Sequence, residues 1–535
     1  MASNPPVGIA GEKTFLGHPR GLVILFFAEM WERFSYYGMR ALLIFYLTKH
    51  WLFSDGDASI IYGAYTSLVY ITPVLGGYLA DRYLGQRKAV MFGAVVLTLG
   101  HFLMAFEGGG GQADPAINVF WLALSFIIVG SGFLKGNIST IVGQLYPRTD
   151  IRRDAAYTIF YMGINLGSFL GVLIAGYLGE TYGWSYGFGA AGVGMLLGLV
   201  VFVLGRPLLL GKAEPRNPEL LARRVAGIPF EWLIYGVGLA SVAVIWLLIQ
   251  YQSVVGTLLL LSGAALLLYV LYVAFTTLGK EARERIFVII FLLLLQPVFW
   301  GLFEQAGASV NLFTDRYVDR SLFGWQIPVT WFQSVNSAFI ILLGPLFATM
   351  WTSMARRGIE PSTPAKFGLA IVQVGLGFLV LVWGAGSGGS MTPWLMIVLL
   401  YFLHTTGELC LSPVGLSAMN RLAPAQMAGL IMGSWFFATA GGNFIAGQIS
   451  AATGGENVEG AGAGAGKELF LDIWSTTGWV AIAIGVGVLV VAPLVKRLMH
   501  LDTLRDDDAV DHAMAGEAQL AEPIAPGLRT DRELK

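Results

Sequence analysis

The sequence predicts an all-α integral membrane protein with fourteen transmembrane helices, and three observations carry that prediction. Of 535 residues, 56% are hydrophobic and only 13% are charged, about half the ~25% charge of a soluble domain. A soluble globule of this size cannot hide so much apolar surface. The apolar residues gather into fourteen stretches, each near the ~20 residues that a helix rising ~1.5 Å per residue needs to cross a ~30 Å bilayer core. Positive charge falls almost wholly on alternate connecting loops, as expected where positive loops stay in the cytoplasm.

The spans run roughly over residues 21–47, 59–80, 89–106, 117–146, 156–178, 184–205, 230–250, 254–277, 286–307, 329–351, 367–386, 393–418, 428–451 and 471–495. Several contain Gly or Pro, which membrane helices tolerate when neighbours satisfy the freed backbone. The first span is polar on one face, and the polar residues 1–20 before it do not read as a cleavable signal, so the span is expected to stay. After the second span comes Gly77-Tyr78-Leu79-Ala80-Asp81-Arg82-Tyr83-Leu84-Gly85-Gln86-Arg87-Lys88, a tight glycine turn with an acid beside arginines. A worn echo, Gly344-Pro345 through Arg356-Arg357-Gly358, follows the tenth span. Such a repeat predicts two six-helix halves. They are expected at 21–205 and 286–497, separated by a linker at 206–285 that carries two extra helices. Residues 1–20 read as a cytoplasmic segment, and 498–535, with Asp506, Asp507 and Asp508, as a disordered cytoplasmic tail.

Loop charge fixes the orientation. One side collects 22 of the 33 Lys and Arg residues, while the other holds only Lys49, Arg316, Arg320 and Lys467. Both termini are therefore expected in the cytoplasm, in a multi-pass protein of the plasma (inner) membrane. The net charge of −1 supplies no basic field for nucleic acid. A single cysteine, Cys410, excludes an internal disulfide and a cysteine-based metal site, so no metal and no cofactor is expected beyond protons.

Seven charges lie where lipid depth should forbid them. Glu29, Glu32, Arg33 and Arg40 sit in the first span, Lys135 in the fourth, Glu304 in the ninth and Glu408 in the twelfth. Each would cost at least ~2.5–3.5 kcal/mol facing lipid at a helix centre. At 100° per residue, Glu29, Arg33, Tyr36 and Arg40 share one helical face, with Glu32 and Tyr37 flanking it. That face must look into a water-filled path or onto other polar spans. Lys135, Glu304 and Glu408 lack partners in their own spans and are expected to meet one another and the arginines across the cavity. The set holds four acids and three bases. One carboxylate is in excess, and a reversibly bound proton would balance it as partners separate.

The string Glu29-x-x-Glu32-Arg33-Phe34-Ser35-Tyr36-Tyr37-Gly38 closely resembles the first-helix signature of the proton-dependent oligopeptide transporter (POT/PTR) family of the major facilitator superfamily. Further matches are Phe133-Leu134-Lys135-Gly136-Asn137, Phe160-Tyr161-x-Gly163-Ile164-Asn165-x-Gly167 and Gly407-Glu408-Leu409-x-x-Ser412-Pro413-x-Gly415-Leu416. They span essentially residues 15–497, and the extra helix pair is similar to that of prokaryotic members. The resemblance implies a major facilitator fold with twelve core helices around a midplane site, importing di- and tripeptides with protons by alternating access and working as a monomer in the lipid bilayer.

Carried over by motif position, Arg33 and Lys135 would hold the peptide carboxylate, and Asn165, Asn336 and Glu408 its amino terminus. Arg40 and Glu304 would form a gate pair between the halves. Tyr36, Tyr37, Tyr70, Trp300 and Trp435 would line side-chain pockets, and Glu29, Glu32 and Arg33, with Glu304, would couple protons to substrate. The chain departs from the pattern at Ser337, where the family often has proline after the asparagine. The residue types suit a peptide, since arginine forks match carboxylates and aromatic faces accept many side chains. Two other readings stay open. One is a carrier of nitrate or another small anion on the same fold, against which Glu29, Glu32 and Glu408 argue. The other is a membrane-embedded metalloenzyme using His404 and Glu408 at i, i+4.

Overall fold

The computed structural model describes residues 14–147, 150, 152–385, 390–454 and 463–501. The expected N-terminal segment before residue 14 and the tail beyond 501 lie outside them. Among the described residues, fourteen long helices follow in order: α1 (Arg20–Phe45), α2 (Asp55–Leu79), α3 (Gln86–Met104), α4 (Ile117–Gln144), α5 (Arg152–Tyr182) and α6 (Trp184–Leu204), then, after the five-residue α7 (Pro218–Ala222), α8 (Phe230–Gln250) and α9 (Gln252–Thr277). The remainder are α10 (Lys280–Phe303), α12 (Ser334–Arg356), α13 (Thr363–Gly384), α14 (Trp394–Leu422), α15 (Ala428–Thr453) and α16 (Ala463–Leu498), with the short α11 (Ser309–Tyr317) between α10 and α12.

Among the described residues, twelve helices are long and apolar enough to cross a membrane by composition. The two expected spans outside that set are α1 and α15. In α1 the cause is its buried Glu29, Glu32, Arg33 and Arg40; α15 is diluted by glycine, Asn443 and Gln448. Their apolarity falls short because they line polar ground between other helices, where hydrocarbon is not the solvent.

Helix α1 packs on α5 and α6, α3 on α4 and α6, and α2 on α4. In the second half of the chain, α13 packs on α14 and α16, and α10 on α13 and α15. The two sets meet where α2 crosses α15 and α5 crosses α12. At the first crossing a methyl group on Gly63 would stand 2.7 Å from the Gly447 Cα, so only glycine permits the approach. The Ser59 and Ser450 hydroxyls bond at 2.8 Å in the same seam. The two glycine turns occupy matching places: Gly85 after α2 and Gly358 after α12 both have positive φ, 73° and 70°.

The α8–α9 hairpin rests on both sets. Tyr235 of α8 stacks on Phe92 of α3 at 5.0 Å, and Lys88 pairs with Glu231 at 2.5 Å. Across from them, Phe444 and Phe437 of α15 fit over Gly256 and Gly263 of α9. The loop between α6 and α8 is clamped where Arg87 donates to both oxygens of Glu214, at 2.5 and 2.9 Å. These bonds hold the Glu214 carboxyl below its ordinary range.

Candidate functional site

The cavity between the two helix sets is built from residues on α1, α2, α4 and α5 on one side and α10, α12, α14 and α15 on the other. It encloses about 90 Å³ and is lined by Arg33, Tyr37, Tyr70, Lys135, Asn165, Trp300, Asn336 and Glu408, eight of the expected site residues. Tyr161, Ser168, Ser337 and Thr439 line it as well, none of them expected from the sequence. A larger space of about 380 Å³ adjoins it through the shared Tyr161 and Ile340 and runs to the helix ends bearing Lys366, Arg421 and Lys496.

On α1, the Arg33 guanidinium meets Glu29 at 2.7 Å and Glu32 at 3.2 Å. All three are buried. One turn of spacing brings Glu29 under Arg33 on the same face, so the cluster forms within a single helix. Among the described residues, one oxygen of Glu29 and both of Glu32 accept no hydrogen bond. Such a cluster tolerates the loss of one negative charge, because Arg33 keeps a second acid beside it.

Lys135 departs from expectation. Its ammonium stands 4.4 Å from the centre of the Tyr36 ring and 4.6 Å from that of Tyr70. It makes no hydrogen bond among the described residues and is only 2% exposed. Instead of a carboxylate across the cavity it finds aromatic faces, which attract a cation without neutralising it. Glu408 likewise pairs with no cation among the described residues; Asn336 donates to it at 2.9 Å and to Thr405 at 3.0 Å. A cation and an anion therefore face the same chamber from opposite helix sets, each held by uncharged groups.

Arg40 and Glu304 do pair, as the sequence leads one to expect. Glu304 begins the 3₁₀ turn after α10, and Arg40 also donates to the Tyr62 hydroxyl at 2.5 Å. Sequence reasoning missed Tyr62, one tyrosine among many in α2. The pair joins the helix sets on the side of the cavity away from Lys366 and Arg421. Further ties close that side: Lys49 with Asp315 at 2.6 Å, Arg316 with Asp55, and Glu180 of α5 accepting from the Val329 and Thr330 amides at 2.9 and 2.8 Å.

Two expected lining residues lie elsewhere. Trp435 is fully buried, its ring seated against Gly415 of α14, because α14 offers a glycine notch that only a large ring fills. Tyr36 is fully buried beneath Lys135, so it serves the cation and not the chamber wall. Asn165 does line the cavity and bonds the Tyr161 carbonyl of its own helix at 3.1 Å; the neighbouring Gly167 and Gly171 take up the packing against α1. Trp300 is oriented by Gln296, which accepts from its indole at 2.5 Å. At Ser337, where the resemblance expects proline, α12 runs on as unbroken helix. His404 turns to the Val374 carbonyl of α13 at 3.2 Å, away from Glu408 and its Asn336 partner on α12, so the two do not converge on a metal.

A family model described as POT family matches residues 87–463. Relatives include "Peptide transporter YePEPT" of Yersinia enterocolitica, 39% identical over 468 residues, covering 82% of this chain and 89% of that protein. "Di-/tripeptide transporter" of Lactococcus lactis subsp. lactis is 34% identical over 519 residues, covering 91% and 98%. Among solved structures, peptide transporter POT in complex with sulfate superposes with a TM-score of 0.79 at 36% identity, covering 91% of this chain and 97% of that one. A POT family transporter in complex with 5-aminolevulinic acid superposes at 0.77 and 32% identity, covering 90% and 98%.

Proposed function

The chain belongs to the POT family of transporters, and we propose that it is a symporter carrying di- and tripeptides into the cell with protons by alternating access. The observation that carries this reading is the polarity of the chamber. Lys135 on one helix set and Glu408 on the other are buried, oppositely charged and unpaired with each other. A peptide zwitterion supplies the two missing counter-charges at once, its carboxylate at Lys135 and Arg33, its amine at Glu408, Asn336 and Asn165. A small inorganic anion would leave Glu408 without a cation, and a buried charge without its partner costs ~3–5 kcal/mol.

With both termini in the cytoplasm, as loop charge favours, the ties at Arg40, Asp55 and Glu180 lie outside and the open space at Lys366 lies inside. The geometry then corresponds to an inward-facing state. A proton on Glu304 would release Arg40 and open the outer side. A peptide carboxylate drawing Arg33 away would leave Glu29 and Glu32 to share a proton. The driving force is adequate: each proton supplies ~2.3 kcal/mol per 100 mV and about 1.4 kcal/mol per pH unit, comparable with the cost of separating one buried pair.

Competition against labelled di-alanine tests the zwitterion site. Unmodified dipeptides should compete, whereas their N-acetylated and C-amidated forms should each lose at least about tenfold. Equal competition by the capped forms, or displacement by nitrate, would contradict the reading.

A further inference from the structure

Ser168 of α5 and Ser337 of α12 bond hydroxyl to hydroxyl at 2.9 Å. The bond crosses from one helix set to the other, and both residues line the central cavity. They are 7% and 4% exposed. Serine in a helix commonly donates to the carbonyl a turn back, as Ser334 does to Trp331 at 2.7 Å. Neither Ser168 nor Ser337 makes such a bond among the described residues. Two hydroxyls carry two donor hydrogens, and their mutual bond uses one. The second is left beside the chamber.

Its position is set by the charges. Arg33 and Lys135 stand on α1 and α4, Asn336 and Glu408 on α12 and α14, so a ligand bridging cation and anion must cross the seam that the serines join. Ser168 and Ser337 line the same cavity as those four residues, within reach of whatever joins the two charged ends of a dipeptide. A proline at position 337 would place no hydroxyl at this point; this chain's serine does.

We propose that the Ser168–Ser337 pair is a specificity-determining contact that donates its free hydroxyl hydrogen to the backbone carbonyl of the bound peptide. The proposal rests on the zwitterion reading of the cavity and adds the recognition of what lies between the two charged ends. Selectivity for peptides over simple ω-amino acids of equal length follows from it.

Two small ligands isolate that carbonyl. 5-Aminolevulinate reproduces the Gly-Gly backbone with a methylene for the amide nitrogen, and 5-aminopentanoate is the same chain without the ketone oxygen. The wild type is expected to bind the ketone about fivefold tighter, the worth of one hydrogen bond. The Ser168→Ala/Ser337→Ala double variant should bind the two ligands with equal affinity, and Ser337→Thr, which keeps a hydroxyl, should retain the preference. A preference surviving in the double variant, or absent from the wild type, overturns the proposal. Equal loss of affinity for both ligands also overturns it, assigning the pair to helix packing. Were di-alanine and both amino acids all to fail to bind the wild type, the zwitterion reading beneath it would fall as well.

Discussion

Lys135 stands over the ring of Tyr36 at 4.4 Å, buried and without a hydrogen-bonding partner among the described residues. An ammonium seated on ring faces is not committed to a protein carboxylate, whereas one paired with Glu32 or Glu408 would have to be released first. The aromatic seat therefore preserves affinity for an incoming carboxylate.

Replacing Lys135 with Ala should weaken di-alanine binding by at least about tenfold, since a charge-assisted bond is worth roughly 1.5–3 kcal/mol. Tyr70→Leu, which removes one of the two ring faces, should cost less, about twofold to fivefold. Titration calorimetry on purified protein measures both, and unchanged affinity in the lysine variant would remove it from the site.

The seam between α2 and α15 offers a direct test of closure. Because the Ser59 and Ser450 hydroxyls lie 2.8 Å apart, the double variant Ser59→Cys/Ser450→Cys should form a disulfide under mild oxidant and stop transport, with activity returning on reduction. The native Cys410 is buried and should not interfere. Full transport by the oxidised variant would show that this seam does not open.

Glu180 joins the end of α5 to the turn before α12 through the Val329 and Thr330 amides. Glu180→Ala leaves those amides without their acceptor. Outer closure should weaken, read as faster labelling of a cysteine at Ser59 by an impermeant maleimide, severalfold above the Glu180-intact control. An unchanged rate would exclude Glu180 as a closing contact.

The Arg87–Glu214 clamp predicts a pH response outside the membrane. Glu214 is held below the ordinary carboxylate range by the hydrogen bonds from Arg87, so its contribution is complete at neutral pH and is lost as pH falls through that lowered value. Protease nicking of the loop between α6 and α8 should be slow at pH 7 and accelerate in acid. Glu214→Gln should show the fast rate already at pH 7; identical nicking of both proteins across the range would contradict the clamp.

Much of the site was legible because charge at lipid depth has few explanations. Glu29, Arg33 and Arg40 announced a polar face; Glu304, without a partner in its own span, was expected to meet a first-span arginine across the fold, and the family resemblance singled out Arg40. Lys135 escaped the same logic, since the sequence shows that a cation is buried but not that two tyrosines converge on it. Trp435 was misplaced because only the packing of α15 on α14 shows that Gly415 receives its ring. Ser168 lies three residues beyond Asn165, on the face that lines the cavity, a signal that was present in the spacing. Its bond to Ser337 was not, because it depends on how α5 meets α12.

Protons are expected to move with peptide through the acids beside Arg33. Uptake of labelled di-alanine into proteoliposomes, with and without an inward acid gradient, measures this for the wild type and Glu32→Gln. Concentrative uptake in the wild type only with the gradient, and gradient-blind peptide exchange in Glu32→Gln, is the predicted result. Accumulation that ignores the gradient in the wild type, or persists undiminished in Glu32→Gln, would contradict it.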